Sequence, residues 1–211
     1  MIRVLIADDH TLLREGLRQL LAATADIRVE GEAANGDEAL ALVKANDYDL
    51  AVLDMSMPGI SGIELIKRVR QEKPRLRVLI LSMHGEAQYA ARALRAGASG
   101  YVTKDAASAQ LVGAIRKVAA GGVHISEAAA AQLVAAQGGT ATGEAALHAR
   151  LSNREFEVFR LLVEGLGPTE IADRLHLSVK TVSTHKTRIL GKMGMESTAD
   201  LVRYAVENKL S

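Results

Sequence analysis

Apolar and polar positions along the first half of the chain follow two alternating rhythms. Short stretches at Ile2 to Ala7, Ile27 to Ala34, Leu50 to Leu53, Arg77 to Leu81 and Gly100 to Thr103 read as strands, and Leu50 to Leu53 is an apolar, partly β-branched run of the kind that makes a buried parallel strand. Between them lie helical stretches. Leu12, Leu13, Leu17, Leu20 and Leu21 share one face of the first, and Ala39, Leu40, Leu42 and Val43 mark the second. The third starts at Ser61 and Glu64, the fourth spans Glu86 to Ala96, and the fifth Ala107 to Ala119. Asp9 stands where a helix cap is expected, and Asn35 with Glu38, like Ser61 with Glu64, has capping-box spacing. Five strands alternating with five helices predict a parallel sheet covered on both faces.

That rhythm stops near residue 121. Between Lys117 and Arg150 there is no Lys or Arg, and Ala, Gly, Gln and Thr dominate. Ser126 to Ala136 reads as a short helix capped by Ser126, and QGGTATG at Gln137 to Gly143 as flexible linker. The expected division is a domain over 1–121, a linker over 122–147 and a second domain over 148–211.

The tail is all helical. Ser152 with Glu155 caps a helix carrying Phe156, Val158, Phe159, Leu161, Leu162 and Val163, which ends at Gly165 and Gly167. Pro168 opens a second helix with Ile171, Ala172 and Leu175, and Ser178 caps a third over Val179 to Met193, stopped by Gly194. Ser197 with Asp200 opens a fourth, with Leu201, Val202, Tyr204 and Ala205. Two short helices in tight succession, the second basic, form the helix-turn-helix pattern.

Composition narrows the classes. With 48% apolar and 24% charged residues the chain is an ordinary folded one, and without Cys it has neither disulfides nor thiolate chemistry. MIRVLIADDH meets two aspartates before any long apolar run develops, so neither a secretory signal nor a membrane anchor is expected there, and a cytoplasmic location follows. The net charge of +1 hides a local field: Ser178 to Met193 holds Lys180, Lys186, Arg188 and Lys192 and no acid.

Candidate chemistry sits at the strand ends. Asp8 and Asp9 follow the first strand, Asp54 the third, Ser82 the fourth and Lys104 the fifth, and a parallel sheet presents all these ends along one edge. Singly, each residue has a bland explanation as a cap, a loop residue or a surface charge. Jointly they make a site. Three carboxylates crowded together need a cation, and hard oxygen ligands suit magnesium. A lysine provides an ammonium and a serine a hydroxyl for phosphoryl oxygens.

VLIADDH, VLDMSMPGISG, VLILS and ASGYVTKD together resemble the receiver domain of bacterial response regulators across residues 1–121. The resemblance implies a flavodoxin-like (βα)5 fold in which Asp54 accepts a phosphoryl group from a phosphohistidine of a sensor histidine kinase. It implies Mg2+ held by Asp9, Asp54 and the main-chain carbonyl of Ser56, with Asp8 assisting through water. Lys104 then pairs with the phosphate, while Ser82 and Tyr101 form a switch. Many receivers carry a cis proline after this lysine; here the residue is Asp105. Met83 and His84 lie near enough to influence hydrolysis of the phosphate, His84 reading more simply as a surface residue.

On a wheel of about 100° per residue, Val182, Ile189 and Met193 fall on one side of the third tail helix, flanked by Val179 and Leu190. Opposite lie Lys180, Thr184, Thr187, Arg188 and Gly191, with Thr181, Ser183 and Lys192 at the margins and His185 and Lys186 nearer the apolar side. A small, polar, basic face fits a major groove. LSNREFEVFRLLVEGLGPTEIADRLHLSVKTVSTHKTRILGKMG resembles the LuxR-type helix-turn-helix, so the whole chain looks like a NarL/FixJ-type response regulator with a small four-helix DNA-binding domain. That resemblance implies Ser183, Thr184 and Thr187 facing bases, with Thr169, Lys180, Thr181, His185, Lys186, Arg188 and Lys192 nearer phosphates. It further implies a homodimer, formed on phosphorylation through the last helix, on double-stranded promoter DNA, with RNA polymerase a candidate partner. Chemistry beyond phosphorylation and dephosphorylation of Asp54 is not expected: a phosphatase of the aspartate class needs a second carboxylate two residues on, where this chain has Ser56. The alternatives are a receiver acting without phosphate and a protein-interaction module.

Overall fold

The structure is a computed structural model that describes residues 1–60, 62–83, 87–127, 129–131, 147–175 and 177–208. It divides into two compact units, 1–140 and 141–211.

In the first unit β1 (Ile2–Ala7), β2 (Ile27–Ala33), β3 (Leu50–Asp54), β4 (Arg77–Ser82) and β5 (Gly100–Thr103) form one parallel sheet in the order β2-β1-β3-β4-β5. The helices are α1 (Thr11–Ala22), α2 (Gly36–Ala45), α3 (Gly62–Glu72), α4 (Ala87–Arg95) and α5 (Ala107–Ala119). Burial on both faces explains the apolar runs of the interior strands, whereas the edge strand β2 leaves Arg28, Glu30 and Glu32 exposed. Val4, Ile6, Val52, Leu79, Leu81 and Val102 pack with Leu17 and Leu21 of α1 and Leu111, Ile115 and Val118 of α5. Alternate strand residues Leu5, Leu53, Val78 and Ile80 are equally buried, as are Leu40 and Val43 of α2 and Leu65, Ile66 and Val69 of α3. Each such side chain contributes about 1.5–3 kcal/mol. The register sets Asp54 beside Leu81 and Ser82 beside Thr103, so β3, β4 and β5 end side by side.

Several expectations change in detail. Asp9 does not cap α1: His10 holds that position without a side-chain bond, and the Asp9 carboxylate lies 2.9 Å from the His10 ring instead. Leu12 is 88% exposed because, at about 100° per residue, it points to the side of α1 opposite Leu21, whereas Leu13, Leu17 and Leu21 turn to the core. β2 stops at Ala33, since Ala34 donates its N–H to Glu38. Asn35 caps α2 as expected, accepting from the Glu38 N–H at 2.9 Å. Ser82 is the last residue of β4 rather than the first after it. Ser126 accepts from the Ala129 N–H, beginning the expected turn of helix. Ser61, His84, Glu86 and the segment Gln137 to Gly143 lie outside the described residues.

The second unit has a 3-10 turn (Leu147–Arg150), then α6 (Asn153–Val163), α7 (Pro168–Arg174), α8 (Val179–Met193) and α9 (Thr198–Glu207). Phe156, Phe159, Ile171, Val182, Ile189, Met193, Leu201 and Ala205 form its core. The caps follow local sequence: Ser152 and Ser197 make full capping boxes, Ser178 accepts from the Thr181 N–H, and Pro168 sits in the first turn of α7. Gly194 ends α8 at φ 65°, a left-handed conformation that glycine takes without a Cβ clash. Val179 is 44% exposed rather than packed, because it is the first residue of α8 and overhangs the core.

Candidate functional site

The edge of the sheet gathers charges from three separated segments. Lys104, just past β5, sets its Nζ 2.8 Å from Asp8 Oδ2 and 3.0 Å from Asp54 Oδ2. None of the three side chains is more than 6% exposed. Two carboxylates in so dry a place repel each other unless a cation lies between them, and the ammonium does. Burial pushes the Asp54 carboxyl up to about 6; Lys104 opposes that rise and Asp8 adds to it. For Lys104 burial acts to lower the pKa, yet the charges of Asp54 and Asp8 outweigh it and the net direction is upward.

Around this triad the main chain supplies rigid support. The Lys104 N–H donates to the Ser82 carbonyl at 2.8 Å, the Met55 N–H to Leu81 at 3.2 Å and the Asp8 N–H to Ala33 at 3.1 Å. The Ser56 N–H reaches Asp54 Oδ1 at 3.4 Å, in the turn after β3. Ser82 is fully buried and the Tyr101 ring 7% exposed; Met83 stands out in solvent. The Lys104–Asp105 peptide is trans.

His10 and Arg14 complete the site, and sequence reasoning missed both. The His10 ring Nδ1 lies 3.1 Å from Asp8 Oδ1 and 2.9 Å from Asp9 Oδ1, and the main-chain N–H of His10 donates to Asp8 Oδ1 at 2.8 Å. Arg14 Nη1 donates to the Asp8 carbonyl at 2.6 Å and its Nε faces Glu32 at 3.6 Å. The available signal was position: His10 immediately follows the two acids, and Arg14 stands one turn into the helix behind them.

Donor atoms of Asp8, Asp9, His10 and Asp54 lie within 4.8 Å of one another. Three carboxylates from two strand ends, two of them almost dry, form a hard oxygen set that suits Mg2+, with Lys104 neutralising part of the same charge. The residues fit the ion.

In the second unit the candidate residues cover one surface of α8. Lys180, Ser183, Thr184, Thr187, Arg188 and Gly191 are exposed, Thr181, His185 and Lys186 half-buried, and Thr169 of α7 is exposed. Lys192 differs from its neighbours. Its Nζ lies 2.6 Å from Glu155, the capping-box glutamate, which also accepts the Ser152 N–H at 2.7 Å. Burial acts to raise the Glu155 pKa, but Lys192 and the Ser152 bonds hold it below the ordinary value. His185 is pushed down, chiefly by burial. No described helix is long and apolar enough to cross a membrane.

Known proteins share this plan from end to end. The family described as response regulator receiver domain matches residues 4–116, and that described as bacterial regulatory proteins, luxR family, matches residues 149–205. Response regulator UvrY of Escherichia coli O157:H7 is 35% identical over 210 residues, covering 100% of this chain and 96% of its own. Oxygen regulatory protein NreC of Staphylococcus carnosus is 36% identical over 214 residues, covering 99% of each. Among solved structures, a complex of the response regulator RcsB with DNA aligns over 97% of this chain and 98% of its own, at 30% identity and a TM-score of 0.59. RcsB from Salmonella enterica serovar Typhimurium, bound to promoter rprA in the presence of the phosphomimetic BeF3-, aligns over 96% and 97% at 29% identity and a TM-score of 0.59. The chain therefore belongs to the two-component response regulators that join a receiver domain to a LuxR-family DNA-binding domain and regulate transcription.

Proposed function

We propose that this regulator is switched by a phosphoryl group on Asp54. An Asp54 oxygen attacks the phosphorus of a kinase phosphohistidine; the P–O bond forms as the P–N bond breaks, and the imidazole leaves. With its pKa raised to about 6, Asp54 is ionised and nucleophilic at neutral pH. Asp9, Asp54 and the Ser56 carbonyl would hold Mg2+, with Asp8 assisting, and the bound ion would neutralise charge on the phosphoryl oxygens. Lys104, already between Asp8 and Asp54, passes to a phosphoryl oxygen once the Asp54 carboxylate becomes an acyl phosphate. The Ser82 hydroxyl turns to the same group, and Tyr101 follows.

In a chain made of a domain over 1–121, a linker over 122–147 and a domain over 148–211, that shift raises the affinity of α8 for promoter DNA. Ser183, Thr184 and Thr187 face bases, while Thr169, Lys180, Thr181, His185, Lys186, Arg188 and Lys192 serve the phosphates. Paired α9 helices set two recognition helices roughly 34 to 36 Å apart on an inverted repeat. The protein works in the cytoplasm, where a sensor histidine kinase is the donor and RNA polymerase a candidate downstream partner.

The observation that carries this reading is the convergence of Asp8, Asp54 and Lys104 within 3.0 Å at one sheet edge. Phosphorylation with acetyl phosphate, followed by borohydride trapping and mass spectrometry, tests it. Modification at residue 54 is expected; label at any other residue contradicts it.

A further inference from the structure

The hydroxyls on the outer face of α8 have their hydrogens committed. Ser183 Oγ donates to the Val179 carbonyl at 3.0 Å, Thr184 Oγ1 to the Lys180 carbonyl at 2.9 Å, and Thr187 Oγ1 to the Ser183 carbonyl at 3.1 Å. A carbonyl only accepts, so each hydroxyl hydrogen lies within its bond, directed back into the helix. What remains available on each oxygen is its two lone pairs. All three residues are exposed, and they share their face with Gly191, where an added Cβ meets nothing within 4 Å. The hydrogen-rich side chains of this face are the cations Lys180 and Arg188, which are also exposed.

Serine and threonine can serve either partner in a groove; here the backbone bonds decide between the two roles. To donate to a base, a hydroxyl must first abandon its carbonyl, whereas to accept it needs no change. The geometry points to a division of labour in operator reading. Ser183, Thr184 and Thr187 act as acceptors that select bases presenting an exocyclic amine, N6 of adenine or N4 of cytosine. Guanine O6 and N7, which are acceptors themselves, are not partners for these hydroxyls, and Lys180 and Arg188 serve the phosphates. This inference rests on the DNA-binding role proposed for α8 and adds the class of base edge that its hydroxyls recognise.

Single-group deletions in the DNA test it without touching the protein fold. An operator is first selected from a random duplex library by the full-length protein with beryllofluoride and Mg2+. Purine then replaces adenine, 2-pyrimidinone replaces cytosine and 7-deazaguanine replaces guanine, one position at a time. Loss of one amine in each half-site is expected to weaken binding about tenfold. Thr184→Val or Thr187→Val, which keeps the side-chain shape without the acceptor, is expected to bind that natural base and its amine-free analogue equally. If amine deletions are silent, or if the valine variants cancel the effect of 7-deazaguanine instead, the hydroxyls are not acceptors and the inference falls while DNA binding stands. If the protein prefers no duplex over a scrambled one, the DNA-binding reading falls with it.

Discussion

The two candidate sites of this protein handle charge in opposite ways. At the sheet edge Asp8, Asp54 and Lys104 are almost dry, and each is held in place by the others. On α8, Lys180 and Arg188 are exposed, and neither is drawn into an ion pair with a described residue, as Lys192 is with Glu155. A buried charge acts through position, because removing its partner strands it in a poor dielectric. An exposed charge acts through its field, which salt screens within about 8 Å at physiological ionic strength. Substitutions at the pocket should therefore show large, local, pH-dependent effects, and those on the helix small, additive, salt-dependent ones.

Lys104→Ala separates the two regimes most sharply. It strands Asp8 and Asp54 together, and chemical denaturation in EDTA should show a loss of about 3–5 kcal/mol. Added Mg2+ should recover much of it; a loss below about 1 kcal/mol would mean that the pocket tolerates charge as a surface does.

The Asp54 carboxyl gives the same contrast a pH signature. Its folded pKa of about 6 lies above the ordinary 3.8, so its protonated form favours the native state. That contribution is complete below about pH 4 and is lost as pH rises through 6. Metal-free wild type should lose up to about 3 kcal/mol relative to Asp54→Asn between those limits. Asp26, Asp49 and Glu155, whose pKa values are lowered, act with the opposite sign in both proteins and cancel in the difference. Parallel profiles for the two proteins would remove the buried-charge account.

Gly36→Ala probes the frame rather than the charge. A Cβ at Gly36 would lie 1.5 Å from the Ile60 carbonyl oxygen, so the turn after Asp54 must move. About 1–3 kcal/mol of stability should go, as in other overpacked sites. Mg2+ affinity measured by titration should fall with it, and unchanged affinity would uncouple α2 from the pocket.

On α8 the effects should be smaller. Arg188→Ala should reduce the slope of log affinity against log salt by about 1 and weaken binding to all duplexes alike. Lys192→Ala should change that slope less and lower the thermal stability of the second unit more, since its ammonium already serves Glu155. Equal slopes for the two variants would show that the ion pair opens on DNA.

What sequence made legible was mainly local. Asn35, Ser152, Ser178 and Ser197 cap their helices because a cap and its partner stand three residues apart. Asp54 and Lys104 were readable because strand ends in a parallel sheet share an edge. His10 and Arg14 were not: their contacts depend on how the turn after β1 folds back, which no periodicity encodes. Nor could the Lys192–Glu155 pair be seen, as its members are 37 residues apart. Val179 shows the limit of a helical wheel, which assigns a direction to a side chain but not a neighbour to cover it, whereas Leu12 is exposed because it lies off the core face of its wheel.

Coupling between pocket and helix is the claim on which the rest depends, and operator binding with and without beryllofluoride measures it. The full-length protein in Mg2+ should bind its selected operator at least about fivefold more tightly with beryllofluoride, the lower end of typical allosteric coupling, and Asp54→Asn should not respond. Equal affinity of the wild type in the two conditions would contradict the account.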